Sequence, residues 1–108
     1  MAEERYEISW SPKSERDLRC LDCHGQPLSE AATAALAAAL VERAQILMLF
    51  PEIGRPFQRM GPNWRQLLHR PYRIIYYVDH STKTVHVGRI WHGARNEPTE
   101  DYLIPLTP

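Results

Sequence analysis

The alternation of apolar and polar side chains predicts that the chain begins with a strand and continues into a pair of helices. Residues 6–10 alternate in the way typical of a half-buried strand. Ser11 and Pro12 follow directly, and a serine cap with proline at the first helical position is a strong helix start. The spacing of Leu18 and Leu21 gives this helix an apolar face, and a Gly/Pro connection after residue 24 is expected to end it.

A second helix is predicted to begin at the capping residue Ser29 and to end at Pro51. Eight alanines between residues 31 and 44 give this segment a high intrinsic helix propensity. Its last turns, Ile46–Phe50, are unusual, because five successive apolar positions cover the whole circumference of a helix. One core face cannot bury them all, so either the following loop or a partner protein is expected to cover them.

Three strands in the second half complete the predicted fold. Proline and glycine residues predict a loop over residues 52–63, and a strand follows over residues 64–70. Tyr72–Val78 is rich in β-branched and aromatic residues, and a turn joins it to a strand over Thr84–His92. The order β-α-α-β-β-β predicts one α+β domain over residues 1–108, with the N-terminal helical hairpin packed on a small, mainly antiparallel sheet.

Length and composition restrict the class of protein. A chain of 108 residues with 44% hydrophobic and 24% charged residues is typical of a globular domain and excludes a disordered tail or a disulfide scaffold. No apolar run approaches the roughly 20 residues of a membrane span, and the first residues do not resemble a signal peptide. We therefore expect a cytoplasmic protein without a membrane partner, whose Cys20 and Cys23 remain reduced.

No cofactor or metal is expected from the sequence. Residues 20–24 match the C-x-x-C-H pattern of covalent haem attachment, but that attachment requires export, for which no signal is present. A zinc site would require further ligands, and the chain has neither a second C-x-x-C nor an H-x-x-x-H pattern.

The net charge of zero conceals an asymmetry along the chain. Residues 1–54 carry a net charge of −4, whereas residues 55–95 carry eight basic side chains against Asp79 alone. Seven of those eight are arginines, which suit bidentate contacts with carboxylate or phosphate groups. A basic face for an anionic partner and a solvated sheet surface both account for this pattern.

The strand Tyr72–Val78 and the chain end after Thr84–His92 contain the candidate chemistry. Strand alternation places Arg73 on the side of Ile75 and Tyr77, opposite the other residues of that strand. Arg73 and Arg95 could hold a phosphate, and His92 could act as an acid or base near neutral pH. A histidine at a strand end is more often structural, so catalysis by His92 stays one of two interpretations.

Four short segments, in their order along the chain, carry a family resemblance. They are residues 6–12 with Asp17 and Leu18, then Pro51–Pro56, Tyr72–Tyr76 and His92–Arg95. Together they resemble the RelE/ParE family of toxins from bacterial type II toxin–antitoxin modules, over residues 6–97. The family fold, a sheet carrying an N-terminal helical hairpin, agrees with the elements predicted above.

The resemblance implies two possible targets. RelE-like toxins bind the ribosome and cut messenger RNA, whereas ParE-like toxins inhibit DNA gyrase without catalysing a reaction. By position, Arg65, Arg73 and Arg95 match basic residues of the family, and together with His92 they form the expected target-binding set. If the protein is a nuclease, RNA cleavage requires a base, an acid and cations on the phosphate, and the set that the sequence offers is His92 or Tyr102 for proton transfer with Arg65, Arg73 and Arg95 around the phosphate.

Two departures from the nuclease pattern favour the ParE branch, which the segment Gly54-Arg55-Pro56 and the ending His92–Arg95 also resemble more closely. RelE-like nucleases carry lysines in the strand before the Tyr-Arg strand, whereas residues 64–68 of this chain contain none. They also carry a tyrosine directly after the closing arginine, whereas the nearest tyrosine after that arginine in this chain is Tyr102. The first hypothesis is therefore a toxin that inhibits growth by binding DNA gyrase and is not an enzyme. The alternatives are a ribosome-dependent endoribonuclease and a non-toxic basic nucleic-acid-binding module, although the sequence shows no interleaved aromatic platform for single strands.

Toxins of this family are held inactive by a cognate antitoxin, so the resemblance also implies a protein partner. The surplus of apolar side chains near the end of the second helix is the natural place for it. We expect an acidic amphipathic segment of the antitoxin to cover part of the basic sheet face and the side chains of Ile46, Met48, Leu49 and Phe50. Toxin and antitoxin would then form a hetero-oligomer.

Overall fold

The computed structural model describes residues 5–21 and 29–93, which form a mixed sheet with two helices. The elements are β1 (Glu7–Trp10), α1 (Pro12–Arg19), α2 (Glu30–Ala44), β2 (Arg55–Pro56), β3 (Trp64–His69), β4 (Tyr72–Asp79) and β5 (Thr84–His92). Two 3₁₀ helices, Gln45–Met48 and Gln58–Met60, lie between them. The predicted α+β class is confirmed.

The five strands form one sheet in the order β1-β5-β4-β3-β2. Strand β1 runs parallel to β5, and the other neighbouring pairs are antiparallel, which confirms a mainly antiparallel sheet. Strand β2 was not predicted, because its two residues lie in the segment rich in proline and glycine. It pairs with Arg65 and Gln66 at the sheet edge, where a proline without an N–H is tolerated.

Both helices start where the sequence predicts. The hydroxyl Oγ of Ser11 accepts a hydrogen bond from the amide of Ser14 at 3.0 Å, and Ser29 Oγ accepts one from the amide of Ala32 at 3.0 Å. Each bond satisfies one of the amides that a helix leaves unpaired at its N-terminus. Helix α1 ends at Arg19, before the predicted Gly/Pro connection.

The second helix ends earlier and differently than predicted. Helix α2 ends at Ala44, and a 3₁₀ turn over Gln45–Met48 continues it. Leu47 in this turn and Ala44 at the end of α2 are three residues apart and both are fully buried. The tighter turn therefore keeps one face of the helix end on the sheet and turns the following residues outward.

The combined helix Glu30–Met48 is long and apolar enough to cross a membrane, judged by length and composition alone. The many alanines give this helix a high mean hydropathy. Polar residues interrupt them, so a search for one long uninterrupted apolar run does not find the helix. In the fold, this helix packs on the sheet through Leu40, Ala44 and Leu47.

Two apolar clusters lie on opposite faces of the sheet. The larger one joins the helices to the face that we call the helix face, and it is centred on Leu40, Leu47, Ile74, Tyr76 and Val87. The smaller one lies on the opposite face, here called the far face, and consists of Phe57, Met60, Ile75 and Trp91 with Trp64 at its margin. This division confirms the predicted alternation along β4, in which Ile74 and Ile75 face opposite sides.

A β-bulge in β5 changes the alternation of that strand. Ile75 pairs with Arg89, but its neighbour Tyr76 pairs with Val87, so Gly88 is an extra residue. The carbonyl of Gly88 accepts a hydrogen bond from Ser11 Oγ at 2.9 Å. Strict alternation counted from Thr84 assigns each residue of β5 to one face of the sheet. Because of the extra residue, the side chains after Gly88 lie on the face opposite to that assignment.

An ion pair fixes α1 against β5 where β1 ends. Asp17 Oδ2 accepts hydrogen bonds from Arg89 Nε at 2.8 Å and from the amide of Ile90 at 2.9 Å, while Oδ1 accepts one from Arg89 Nη2 at 3.0 Å. Both side chains are about nine-tenths buried. Asp17 thus continues the edge pairing of β5 beyond β1, which is a physical reason for an aspartate in the opening motif.

The structure corrects the expected redox state of Cys20. This residue follows the last residue of α1 and is disulfide-bonded, so the prediction that it stays reduced is wrong. Because α1 ends at Arg19, the chain at Cys20 has left regular helical geometry, and the C-x-x-C spacing permits a disulfide. Cys23, the only other cysteine of the sequence, lies outside the described residues.

Candidate target-binding face

Arg73 lies on the far face of the sheet. It is half-buried on β4, in register with Leu68 of β3 and Trp91 of β5. The 3₁₀ helix that contains Met60 covers the neighbouring part of this face. Arginine is enriched at the energetically important positions of protein-binding surfaces, and Arg73 is the basic residue of β4.

The side chain of Arg65 is hydrogen-bonded to the loop that precedes β2. Its Nη1 atom donates hydrogen bonds to the carbonyl oxygens of Glu52 at 3.1 Å and Gly54 at 2.8 Å. The amide of Gly54 in turn donates to the hydroxyl of Tyr76 at 2.9 Å, and Tyr76 belongs to the core of the helix face. Burial raises the pKa of this tyrosine, so its hydroxyl stays neutral while it accepts the bond from Gly54.

Gly54 leaves no room for a side chain. A Cβ atom built there would lie 2.5 Å from the Tyr76 hydroxyl and 2.7 Å from the carbonyl oxygen of Gln66. We expect Gly54→Ala to lower the free energy of unfolding by about 1–3 kcal/mol, because the loop must move away from β3. Urea unfolding measures the loss, with Ile53→Ala at the exposed neighbour as the control; equal values for both variants would contradict the account.

His92 lies on the helix face at the end of β5. It is in register with Tyr72, and the two rings meet edge to face with centroids 5.1 Å apart. The Tyr72 hydroxyl donates a hydrogen bond to the carbonyl oxygen of Leu21 at 2.9 Å, which ties this end of the sheet to the residues after α1. His92 is half-buried in this arrangement.

The described residues therefore do not bring the predicted site residues into one cluster. Arg73 faces the far side, whereas His92 and Arg65 face the helix side, at opposite ends of the sheet. The two remaining members of the predicted set, Arg95 and Tyr102, lie outside the described residues.

The far face carries an aromatic row that the sequence analysis missed. Trp64, Tyr77 and His86 lie side by side across β3, β4 and β5. The Trp64 and Tyr77 ring centroids are 4.9 Å apart at an interplanar angle of 63°, and those of Tyr77 and His86 are 4.8 Å apart at 20°. Burial, and then the nearby carboxylate of Asp79, raise the pKa of Tyr77. All three rings are half-exposed.

The signal for this row was present in the sequence but required strand register. A turn that pairs Asp79 with Thr84 necessarily pairs Tyr77 with His86, because each step along one strand is matched by one step along the other. Pairing of β3 with β4 then brings Trp64 beside Tyr77.

Several arginines of the basic stretch have structural roles. Arg89 is paired with Asp17 and also lies 4.9 Å from the centre of the Trp91 ring. Arg65 holds the loop before β2. Arg55 is exposed on β2, beside Gln66. The basic stretch is therefore divided between fold-stabilising contacts and exposed positions.

A second surface lies at the end of the 3₁₀ turn that follows α2. Leu49, Phe50 and Ile53 are exposed by 45%, 57% and 50%, and they line an open groove of about 390 Å³. Of the four side chains expected to contact an antitoxin, Leu49 and Phe50 are exposed, whereas Ile46 and Met48 are half-buried. We call Leu49, Phe50 and Ile53 the apolar patch.

A chain of polar contacts holds the loop of the apolar patch. His80, in the turn between β4 and β5, contacts the Tyr6 hydroxyl through Nδ1 at 2.7 Å and the Glu52 carboxylate through Nε2 at 3.0 Å. Arg65 holds the backbone of the same loop at Glu52. The three apolar side chains are thus presented to solvent by a loop whose position is fixed.

Among residues 5–21 and 29–93, no group of three or more His, Cys, Asp or Glu side chains could hold a metal ion.

The family of the chain follows from its sequence. A model of the ParE toxin of the type II toxin–antitoxin system parDE matches residues 8–97, and the chain therefore belongs to this family of toxins. No curated protein sequence matches the chain.

Solved structures of related toxins have the same fold. A RelBE2 toxin–antitoxin complex from Mycobacterium tuberculosis is similar at 24% identity, with a TM-score of 0.63 and coverage of 82% of this chain and 98% of that one. The chromosomal ParDE system of P. aeruginosa gives 22% identity, a TM-score of 0.68 and coverage of 82% and 97%. A free mutant of the E. coli toxin RelE is similar at 18% identity, with a TM-score of 0.61 and coverage of 96% of this chain and 99% of that one.

Proposed function

We propose that this type II toxin arrests growth by binding DNA gyrase rather than by catalysing a reaction. The observation that carries the proposal is the separation of Arg73 from His92 by the sheet. Cleavage of RNA by its own 2′-hydroxyl requires a base, an acid and cations around one phosphate. A binding inhibitor requires only a fixed surface, and the far face offers Arg73 and the half-exposed aromatic row.

The match to the ParE family supports gyrase as the target. The segment Gly54-Arg55-Pro56, one of the features that favour the ParE branch, is held by Tyr76 and Arg65. Both possible targets are cytoplasmic, and we propose that the toxin acts in that compartment.

Growth arrest should survive the loss of the candidate acid–base residue. We expect His92→Ala protein, folded by circular dichroism, to stop growth as the wild type does, because His92 lies against Tyr72 on the helix face, opposite the far face that binds gyrase in this proposal. The same result is expected for Tyr102→Phe. Growth curves after induction measure the effect.

A nuclease would behave differently in this experiment. Removal of a positioned acid or base lowers cleavage by roughly 10²–10⁴-fold, which would restore growth. The matched control is Arg73→Ala, which should reduce toxicity under either mechanism because Arg73 is a proposed target-binding residue. Growth restored by His92→Ala in a folded protein would argue for the endoribonuclease.

We also propose that a cognate antitoxin covers the apolar patch. Similar solved structures are toxin–antitoxin complexes, including RelBE2 from Mycobacterium tuberculosis and RelBE from E. coli. Large exposed apolar groups on one fixed loop are typical of a protein interface. Toxin and antitoxin would form a hetero-oligomer in which this patch is buried.

A further inference from the structure

The aromatic row on the far face ends in an open position. Tyr77 lies against one side of the His86 imidazole, with the two rings nearly parallel. The other side of the imidazole is directed towards β1, where the residue in register with His86 is Ser9. Ser9 is exposed and small, so within the described part of β1 no bulky side chain lies opposite His86, and we call the space above Ser9 the open position. Neighbouring strands are about 4.8 Å apart, which suits the spacing of stacked rings.

Charged side chains flank the row on both sides. Arg55 is exposed on β2 opposite Gln66, two residues along β3 from Trp64, and this diagonal separation is roughly 8 Å by strand geometry. At the other end, Glu7 is exposed on β1, two residues from Ser9 and therefore on the same face. A cation beside an aromatic row suits a phosphate backbone, and a carboxylate suits the exocyclic amino group of a base.

We propose that the aromatic row binds unpaired bases of single-stranded nucleic acid. One base stacks on His86 above Ser9, the Glu7 carboxylate accepts a hydrogen bond from its amino group, and Arg55 contacts the backbone. Cytosine fits this arrangement through its N4 amino group, and thymine and uracil, which lack that group, fit less well. The inference does not depend on gyrase being the target, because it concerns nucleic acid alone.

The absence of an aromatic platform counted against a nucleic-acid-binding module in the sequence analysis. The platform exists in the fold, but its members are 13 and 9 positions apart in the sequence and meet only through strand pairing. An aromatic or arginine side chain of a protein could also occupy the space above Ser9. Exposed basic residues and the high charge of residues 55–95 favour nucleic acid.

Fluorescence anisotropy with labelled oligocytidine of about ten nucleotides tests the proposal, in a DNA arm and an RNA arm. Purified wild-type toxin is expected to bind with micromolar affinity, to bind oligothymidine more weakly, and to lose affinity as salt is raised. Preference for one arm identifies the natural sugar. Glu7→Gln is expected to reduce the preference for oligocytidine over oligothymidine.

Two variants remove the site in different ways. His86→Leu removes the stacking ring, and Ser9→Leu fills the open position without removing a ring, at an exposed site where folding is not at risk. Each is expected to weaken oligocytidine binding by about tenfold or more. His80→Leu is the matched control, because that histidine lies in the separate contact with Tyr6 and Glu52 and should leave binding unchanged.

Two results would overturn the proposal. One is unchanged oligonucleotide binding by Ser9→Leu. The other is no oligonucleotide binding by the wild type; if Ser9→Leu then abolishes gyrase inhibition, the row binds protein instead. Failure of the gyrase proposal is recognised separately, by wild-type toxin that binds oligocytidine but leaves supercoiling unaffected.

Discussion

Replacing Asp17 with asparagine is expected to lower the free energy of unfolding by about 3 kcal/mol, because it leaves the buried guanidinium of Arg89 without its counter-charge. The change keeps the size of the side chain, so the loss reflects charge and hydrogen bonding rather than packing. Asp17 also accepts the amide of Ile90 on the edge of β5 beyond its pairing with β1, and the weaker amide acceptor adds to the loss. Urea unfolding followed by far-UV circular dichroism measures it.

Glu15→Gln is the matched control for this prediction. It is the same chemical change in the same helix, at an exposed position, and should alter stability by less than about 0.5 kcal/mol. A double-mutant cycle with Arg89→Met isolates the pair, and we expect a coupling energy above about 1 kcal/mol. Equal effects of Asp17→Asn and Glu15→Gln, or a coupling energy near zero, would show that the ion pair does not fix α1 on the sheet.

A charge placed in the apolar patch is expected to weaken binding of the cognate antitoxin by about 30-fold or more. Phe50→Asp puts a carboxylate where an aromatic side chain, 57% exposed, would be buried by the partner. Folding should be unaffected because the position faces solvent. Titration calorimetry with the antitoxin measures the change in affinity.

Hydrogen exchange provides an independent measurement on the unmodified protein. Antitoxin binding should increase amide protection around Met48 and Phe50, which lie next to and within the apolar patch. Gln58→Asp is the control for Phe50→Asp, because Gln58 is exposed in the 3₁₀ helix on the other side of the sheet. If protection is unchanged and Phe50→Asp binds antitoxin normally, the patch is not the docking surface.

Much of the fold could be predicted because local rules agree with the tertiary structure. Serine caps at Ser11 and Ser29 marked both helix starts, and alternation marked the faces of β4. The end of α2 could not be predicted, since the change to a 3₁₀ turn depends on the packing of Leu47 against the sheet. Strand β2 depends on pairing with β3, which short proline-containing sequences do not indicate.

The candidate site was harder to predict because a bulge changes which side a residue faces. Strict alternation along β5 places His86 and His92 on the same face, since they are six residues apart. The extra residue Gly88 separates them: His86 stacks on Tyr77 on the far face, whereas His92 meets Tyr72 on the helix face. No residue-level signal places that bulge, although glycine and the contact from Ser11 are consistent with it.

An in vitro supercoiling assay with purified toxin tests the central claim most directly. If the toxin acts by binding gyrase, wild-type protein blocks the supercoiling of relaxed plasmid, Arg73→Ala does so less well, and messenger RNA on translating ribosomes stays intact. The account is contradicted if supercoiling proceeds normally while the same protein produces codon-phased cleavage of messenger RNA on ribosomes.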